Sequence, residues 1–158
     1  MNNTCTGFVE AVCISPKKGM IKHKVEAMHI EKNWGAVEDA HAGTWHRQIS
    51  MLAGESIDLV KAKLPRISHG VFAENIVTRG IDLNGVAVGD CFRIDDEILL
   101  QVTQIGKECH NAGCAIKKAT GDCIMPREGI FCKVLRGGTV KPGSPITLES
   151  QQMSATTA

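Results

Sequence analysis

The chain has 158 residues, is 43% hydrophobic, carries a formal net charge of +1, and contains four Phe, two Trp and no Tyr. Such a length and hydrophobic content predict one domain with a core of its own. A nearly neutral chain without a Lys/Arg run offers nucleic acid no electrostatic track, and so few aromatics offer bases little to stack on.

Short β-like runs dominate in chain order. "GFVEAVCI" (7–14) reads as a strand closed by the turn "SPKKG". "KHKVEAMHI" (22–30) alternates as one strand, with Val25, Ala27 and His29 on one face and Lys24, Glu26 and Met28 on the other. "HRQISML" is a third strand. "GESIDLVKAKLP" spaces Ile57, Val60 and Leu64 helically and stops before Pro65, which predicts a short helix. "ENIVTRG" is a strand, and "CFRIDDEILLQVTQI" is a hairpin turning at Asp95-Asp96. "GIFCKVLRGG" and "SPITL" are two more strands, with Gly137-Gly138 and "KPG" as the turns between them. About seven strands, one or two short helices and many Gly-bounded turns predict a mainly β fold, a closed or partly closed barrel. Residues 5–148 form this single domain, and the polar residues 149–158 are expected to be a disordered tail.

No run approaches the roughly 20 apolar residues of a membrane span. The opening "MNNTCTGFVEAVCISPKKG" lacks the apolar stretch of a secretory signal. The expected location is the cytoplasm, a reducing compartment. The seven cysteines are Cys5, Cys13, Cys91, Cys109, Cys114, Cys123 and Cys132. An odd number of thiols in that compartment argues against a disulfide framework. Cys13, Cys91 and Cys132 lie in apolar runs and read as small buried hydrophobes.

Three loops concentrate functional groups. "GAVEDAHAGTWHRQIS" (35–50) brings His41, His46 and Arg47 together. The arginine can fork onto a phosphate or carboxylate, and the histidines can act as ligands, acid/base groups or donors. The same groups could instead cap the loop's own backbone. Trp34 and Trp45 flank it as anchors. "SHGVFAENIV" (68–77) carries Glu74 and Asn75, which can hold a loop through backbone amides or bind a ligand, and Gly70, which permits a sharp turn. The third loop is "KECHNAGC". Four residues separate Cys109 from Cys114, and eight separate Cys114 from Cys123 and Cys123 from Cys132, so no CxxC pair supports a zinc site. Lys107 and His110 beside Cys109 would stabilise a thiolate, the reactive form of cysteine.

In this order, "GAVEDAHAGTWHRQIS", "HGVFAENIV", "LQVTQIGKECH" and "GIFCKVLRGGTVKPGSPI" closely resemble the MOSC family, named for the C-terminal part of molybdenum cofactor sulfurase. The resemblance covers residues 7–148 and implies a β-barrel. It puts the family's characteristic cysteine at Cys109, as a molybdenum ligand or sulfur carrier. His41, His46, Arg47, Glu74, Asn75, Lys107 and His110 are then the residues expected around a molybdenum-pterin cofactor. The chain has no room for the pyridoxal-phosphate domain of the sulfurases, and it resembles the small stand-alone bacterial type. Partners expected by resemblance are proteins of molybdenum cofactor biosynthesis or molybdoenzymes. Two alternatives stay open: a sulfur-relay or thiol redox protein without molybdenum that uses Cys109, Cys114 and Cys123, and a non-enzymatic cofactor carrier.

Overall fold

The structure is a computed structural model that describes residues 5–18, 20–106 and 124–150, without the side chain of Pro126. Its strands are β1 (Thr6–Ile14), β2 (His23–Val25), β3 (Met28–Glu31), β4 (Gly35–Ala36), β5 (Ile49–Ala53), β6 (Ile76–Arg79), β7 (Cys91–Ile94), β8 (Ile98–Ile105), β9 (Ile130–Arg136), β10 (Gly138–Val140) and β11 (Pro145–Glu149). Among the described residues two short helices accompany them, α1 (Gly54–Lys61) and α2 (Ile124–Glu128).

Seven strands close a barrel in the order β1-β11-β7-β8-β9-β5-β6, because β11 pairs with both β7 and β1. Closure leaves the barrel no edge strand to protect. The strand β2 extends β1, and β10-β3-β4 form a small separate sheet. Of the barrel pairs only β5 and β6 run parallel, and parallel neighbours need a crossover connection. Here α1 and the loop after it supply that crossover, with Ile57 set down on Leu52, Val77 and Phe72.

Period-two alternation divides the apolar residues into two clusters. Ile49 and Met51 of β5, Phe92 and Ile94 of β7, Leu100 and Val102 of β8, and Ile130, Cys132 and Val134 of β9 fill the barrel. Leu52, Val77 and Phe131 face outward and are covered by α1, by Phe72 and by Ile124 and Met125 of α2. Ser50, opposite Phe131 in the register, therefore lies on the same outer face. This flank, at the junction of β5, β6 and β9, carries the candidate site.

Three expectations need correction. "KHKVEAMHI" is two strands, with Met28 buried and His29 exposed, because the chain breaks between Val25 and Met28 and resets which side chains face inward. Gly137-Gly138 is not merely a turn, since Gly138 opens β10 and pairs with Ile30. Glu149, placed in the tail by sequence, ends β11 opposite Cys91 and forms an ion pair with Arg93. The hairpin turns at Asp95-Asp96 as expected, with both residues at positive φ (56° and 55°) in the short connection between the paired Ile94 and Ile98.

Candidate functional site

The β1–β2, β4–β5 and α1–β6 connections, with β5, β9 and α2, build a cavity of about 330 Å³ on the outer face, lined by Lys18, His41, Trp45, Arg47, Ser50, Ala73, Asn75, Met125 and Phe131. Two of these residues carry permanent positive charge, and no carboxylate is among them.

The first loop joins β4 to β5. Its anchor is Asp39, buried at 6% exposure. Asp39 Oδ1 accepts from the Ser15 amide at 3.0 Å and from Lys22 Nζ at 2.7 Å, and Oδ2 accepts from the His41 amide at 3.1 Å. The Ala40 amide adds a bond to the Ser15 carbonyl at 2.8 Å. Trp45 Nε1 donates to the His41 carbonyl at 2.8 Å and closes the loop on itself. Trp45 is thus both an anchor and a wall of the cavity.

Arg47 lies over this wall, its guanidinium carbon 4.7 Å from the Trp45 ring centre and 5.6 Å from that of Phe131. Stacking on two aromatic faces holds a planar cation without using up its N–H groups. Its Nε is buried and has no hydrogen-bond partner. A buried donor left unpaired costs about 1–3 kcal/mol and calls for an explanation.

The second loop joins α1 to β6. Glu74 is fully buried and accepts from the Gly70 amide at 2.7 Å and the Phe72 amide at 3.0 Å. Burial pushes its carboxyl up from the ordinary range, against the pull of those amides. Asn75 ties the loop to the barrel. Its Oδ1 accepts from the Ser50 amide at 3.0 Å, and its Nδ2 donates to the Cys13 carbonyl at 3.1 Å. Gly70 has φ +97°, and a Cβ there would collide with the Lys22 carbonyl. That close approach lets the Lys22 amide donate to the Gly70 carbonyl at 2.9 Å. Lys22 therefore touches both loops, one through its backbone and the other through its ammonium.

The structure brings His41, Arg47 and Asn75 of the sequence-derived set to one cavity. Glu74 sits behind the wall as a clamp. His46 is exposed and turns to β8, where its Nε2 lies 2.8 Å from Gln104 Oε1 and its carbonyl accepts from the Thr103 hydroxyl. A register shift between Val102 and Gln104 presents Thr103 to this contact. His46 thus stitches the first loop to the strand that leads to Cys109. Cys109 itself, with Lys107, His110, Cys114 and Cys123, lies outside the described residues. Among the described residues no cluster of three or more His, Cys, Asp or Glu could hold a metal ion, and no helix is long and apolar enough to cross a membrane. Sequence reasoning missed Lys22, Lys18, Ser50 and Phe131. A lysine in a polar-looking run carries no sign that folding will bury it.

Three of the remaining described thiols are made poorer nucleophiles by their surroundings. Burial pushes Cys13 up to about 12 and Cys132 further still, and burial with the nearby Glu149 and Asp90 carboxylates raises Cys91. Cys5 is exposed.

Fold and site together define a closed-barrel protein with a cation-lined cavity on its flank. The MOSC domain family matches residues 38–147, and the chain belongs to that family. Membership supports a general role related to the molybdenum cofactor. The uncharacterized protein YflK of Bacillus subtilis (strain 168) is 30% identical over 90 residues, a match spanning 54% of this chain and 39% of YflK. Among solved structures, Bacillus subtilis YuaD superposes with a TM-score of 0.76 at 21% identity, covering 93% of this chain and 97% of that one. YiiM from Geobacillus stearothermophilus gives 0.66 at 18% identity, covering 95% and 78%. YiiM from Escherichia coli gives 0.59 at 19% identity, covering 96% and 77%. At these identities the likeness is one of fold.

Proposed function

We propose that the protein binds the anionic part of a molybdenum-pterin cofactor in the flank cavity and anchors or sulfurates its metal through Cys109. The observation that carries this reading is Arg47, a stacked guanidinium with a buried, unpaired Nε in a cavity whose described lining residues include no carboxylate. A fork of N–H donors held in place by aromatic faces suits a phosphate or a metal-bound oxo group. Lys18 adds charge at the mouth, where it is exposed. His41 adds a polar edge. Asn75 shapes the wall, because its amide is already used within the fold. Glu74 and His46 hold the two loops that frame the cavity.

The cofactor, when bound, supplies a redox-active metal that no amino acid provides. The chain supplies the grip and the thiolate. Burial disfavours the thiolates of Cys13, Cys91 and Cys132, and the resemblance puts the reactive thiol at Cys109. Lys107 and His110 would favour the thiolate of Cys109. The protein would act in the cytoplasm, alongside proteins that make the cofactor or use it. The alternative is a sulfur relay among Cys109, Cys114 and Cys123 without molybdenum, favoured by their closeness in sequence.

The test is anaerobic incubation with intact cofactor, followed by elemental analysis of wild type, Cys109→Ser and Arg47→Ala. Stoichiometric molybdenum on the wild type and its loss from both variants is the expected result. Normal loading of Cys109→Ser would sink the thiolate role. No molybdenum on any of the three would favour the relay, to be followed by mass spectrometry for a persulfide on Cys109.

A further inference from the structure

The least expected group near the cavity is Lys22. It is 1% exposed, with its ammonium 2.7 Å from Asp39 Oδ1 and both side chains wholly buried. Removing two charges from water costs several kcal/mol per ion, and an apolar pair of similar size often serves stability as well or better. What the buried pair touches bears on why it is there.

The third contact of Lys22 leads to the cavity. Its Nζ lies 3.0 Å from Nδ1 of His41, a residue that lines the cavity. An ammonium has only N–H groups to offer, so Nδ1 must accept. A neutral imidazole that accepts at Nδ1 carries its proton on Nε2. Without Lys22 the preference changes. Asp39 Oδ2 stands 3.9 Å from Nδ1, and a carboxylate alone would draw the proton to that nitrogen. The ring would then present a lone pair on its other edge, which repels an anion.

We propose that Lys22 is a positioning residue of the cavity: held by Asp39, it fixes His41 as the Nε2–H tautomer and so makes the imidazole a donor toward an anionic ligand. This rests on the anion-binding reading above for its purpose, but not for its geometry. Lys22 also donates its backbone amide to Gly70, so one residue joins the loop that carries His41 to the loop that carries Asn75.

The test uses the full chain without cofactor. Imidazole nitrogen shifts from ¹⁵N-labelled protein report the tautomer of each histidine directly, and a His41→Gln variant assigns the signal. Wild type is expected to show His41 as Nε2–H. Lys22→Met should shift it toward Nδ1–H. The double variant Lys22→Met/Asp39→Asn avoids stranding a buried carboxylate, and should also lose the fixed tautomer if the single variant does not fold. In parallel, inorganic phosphate serves as the anion probe, and its affinity should fall about tenfold in the folded variant, the size of one lost hydrogen bond. An Nδ1–H tautomer in the wild type would overturn the proposal, as would an unchanged tautomer in a folded variant. Wild type that shows Nε2–H yet binds no phosphate would overturn the anion-site reading and leave the role of Lys22 standing.

Discussion

Two buried carboxylates hold the two loops that frame the cavity, and they do it by different means. Asp39 is paired with a buried ammonium and, besides that, accepts two backbone amides. Glu74, equally deep, is held by the amides of Gly70 and Phe72. An amide clamp is local: it shapes one loop within four residues of sequence. The ion pair is long-range, joining residues 17 apart and passing the arrangement on to His41. The clamp is architecture, whereas the pair connects architecture to the cavity.

The sharpest way to break this comparison is to neutralise each acid in turn. Asp39→Asn strands the Lys22 ammonium in the core, and breaking a buried pair from one side costs about 3–5 kcal/mol. Urea unfolding should show that loss, and Lys22→Met/Asp39→Asn should recover much of it. If the double variant is no more stable than the single one, the ammonium is not what makes Asp39 costly to change.

Glu74→Gln strands no cation. Its amide oxygen can still accept one of the two N–H bonds, so the expected loss is about 1–3 kcal/mol. The pH dependence adds a second signature. Because burial raises the Glu74 carboxyl in the folded state, its contribution is full below the ordinary carboxylate range and is lost as pH rises through the raised value. The deficit of Glu74→Gln relative to wild type should therefore be largest in acid and shrink toward neutral pH. A deficit that grows with pH instead would mean that the amides, not burial, dominate at this site.

The difference between the two acids also marks how far the fold and site are legible in the chain. Strands that alternate, such as β7, β8 and β9, are plain from period two, and α1 is plain from its apolar spacing and the proline beyond it. The two-residue β4 and the glycine-led β10 have too few side chains to make a pattern, and α2 carries a proline. They are ordered by contacts distant in sequence. At the site, His41, Arg47, Glu74 and Asn75 stand out because they crowd into two short loops. Lys22 does not, because its role depends on Asp39 being brought to it. A local clamp like that of Glu74 can be suspected from one loop. A long-range pair can be seen only once the loops are placed.

A third carboxylate sets the lower bound of the comparison. Glu10 points outward from β1 and bridges an imidazole and a guanidinium, with Oε2 2.8 Å from His69 Nε2 and Oε1 2.7 Å from Arg79 Nε. Burial raises its carboxyl, but the bonds from Arg79 and His69 outweigh that and hold it below the ordinary range. Its stabilising contribution is therefore present above the unfolded value and is lost as pH falls through the folded one, opposite in slope to that of Glu74. The side chains are roughly a quarter exposed (23% for Glu10, 27% for Arg79), so water screens the pair and Glu10→Gln should cost only about 0–1 kcal/mol at neutral pH. That small deficit should vanish in acid, whereas that of Glu74→Gln should persist there. Parallel slopes for the two variants would mean that depth within the fold does not separate the behaviour of these acids. Opposite slopes would tie each carboxylate's response to what surrounds it: hydrogen-bonding side chains near the surface, burial in the core.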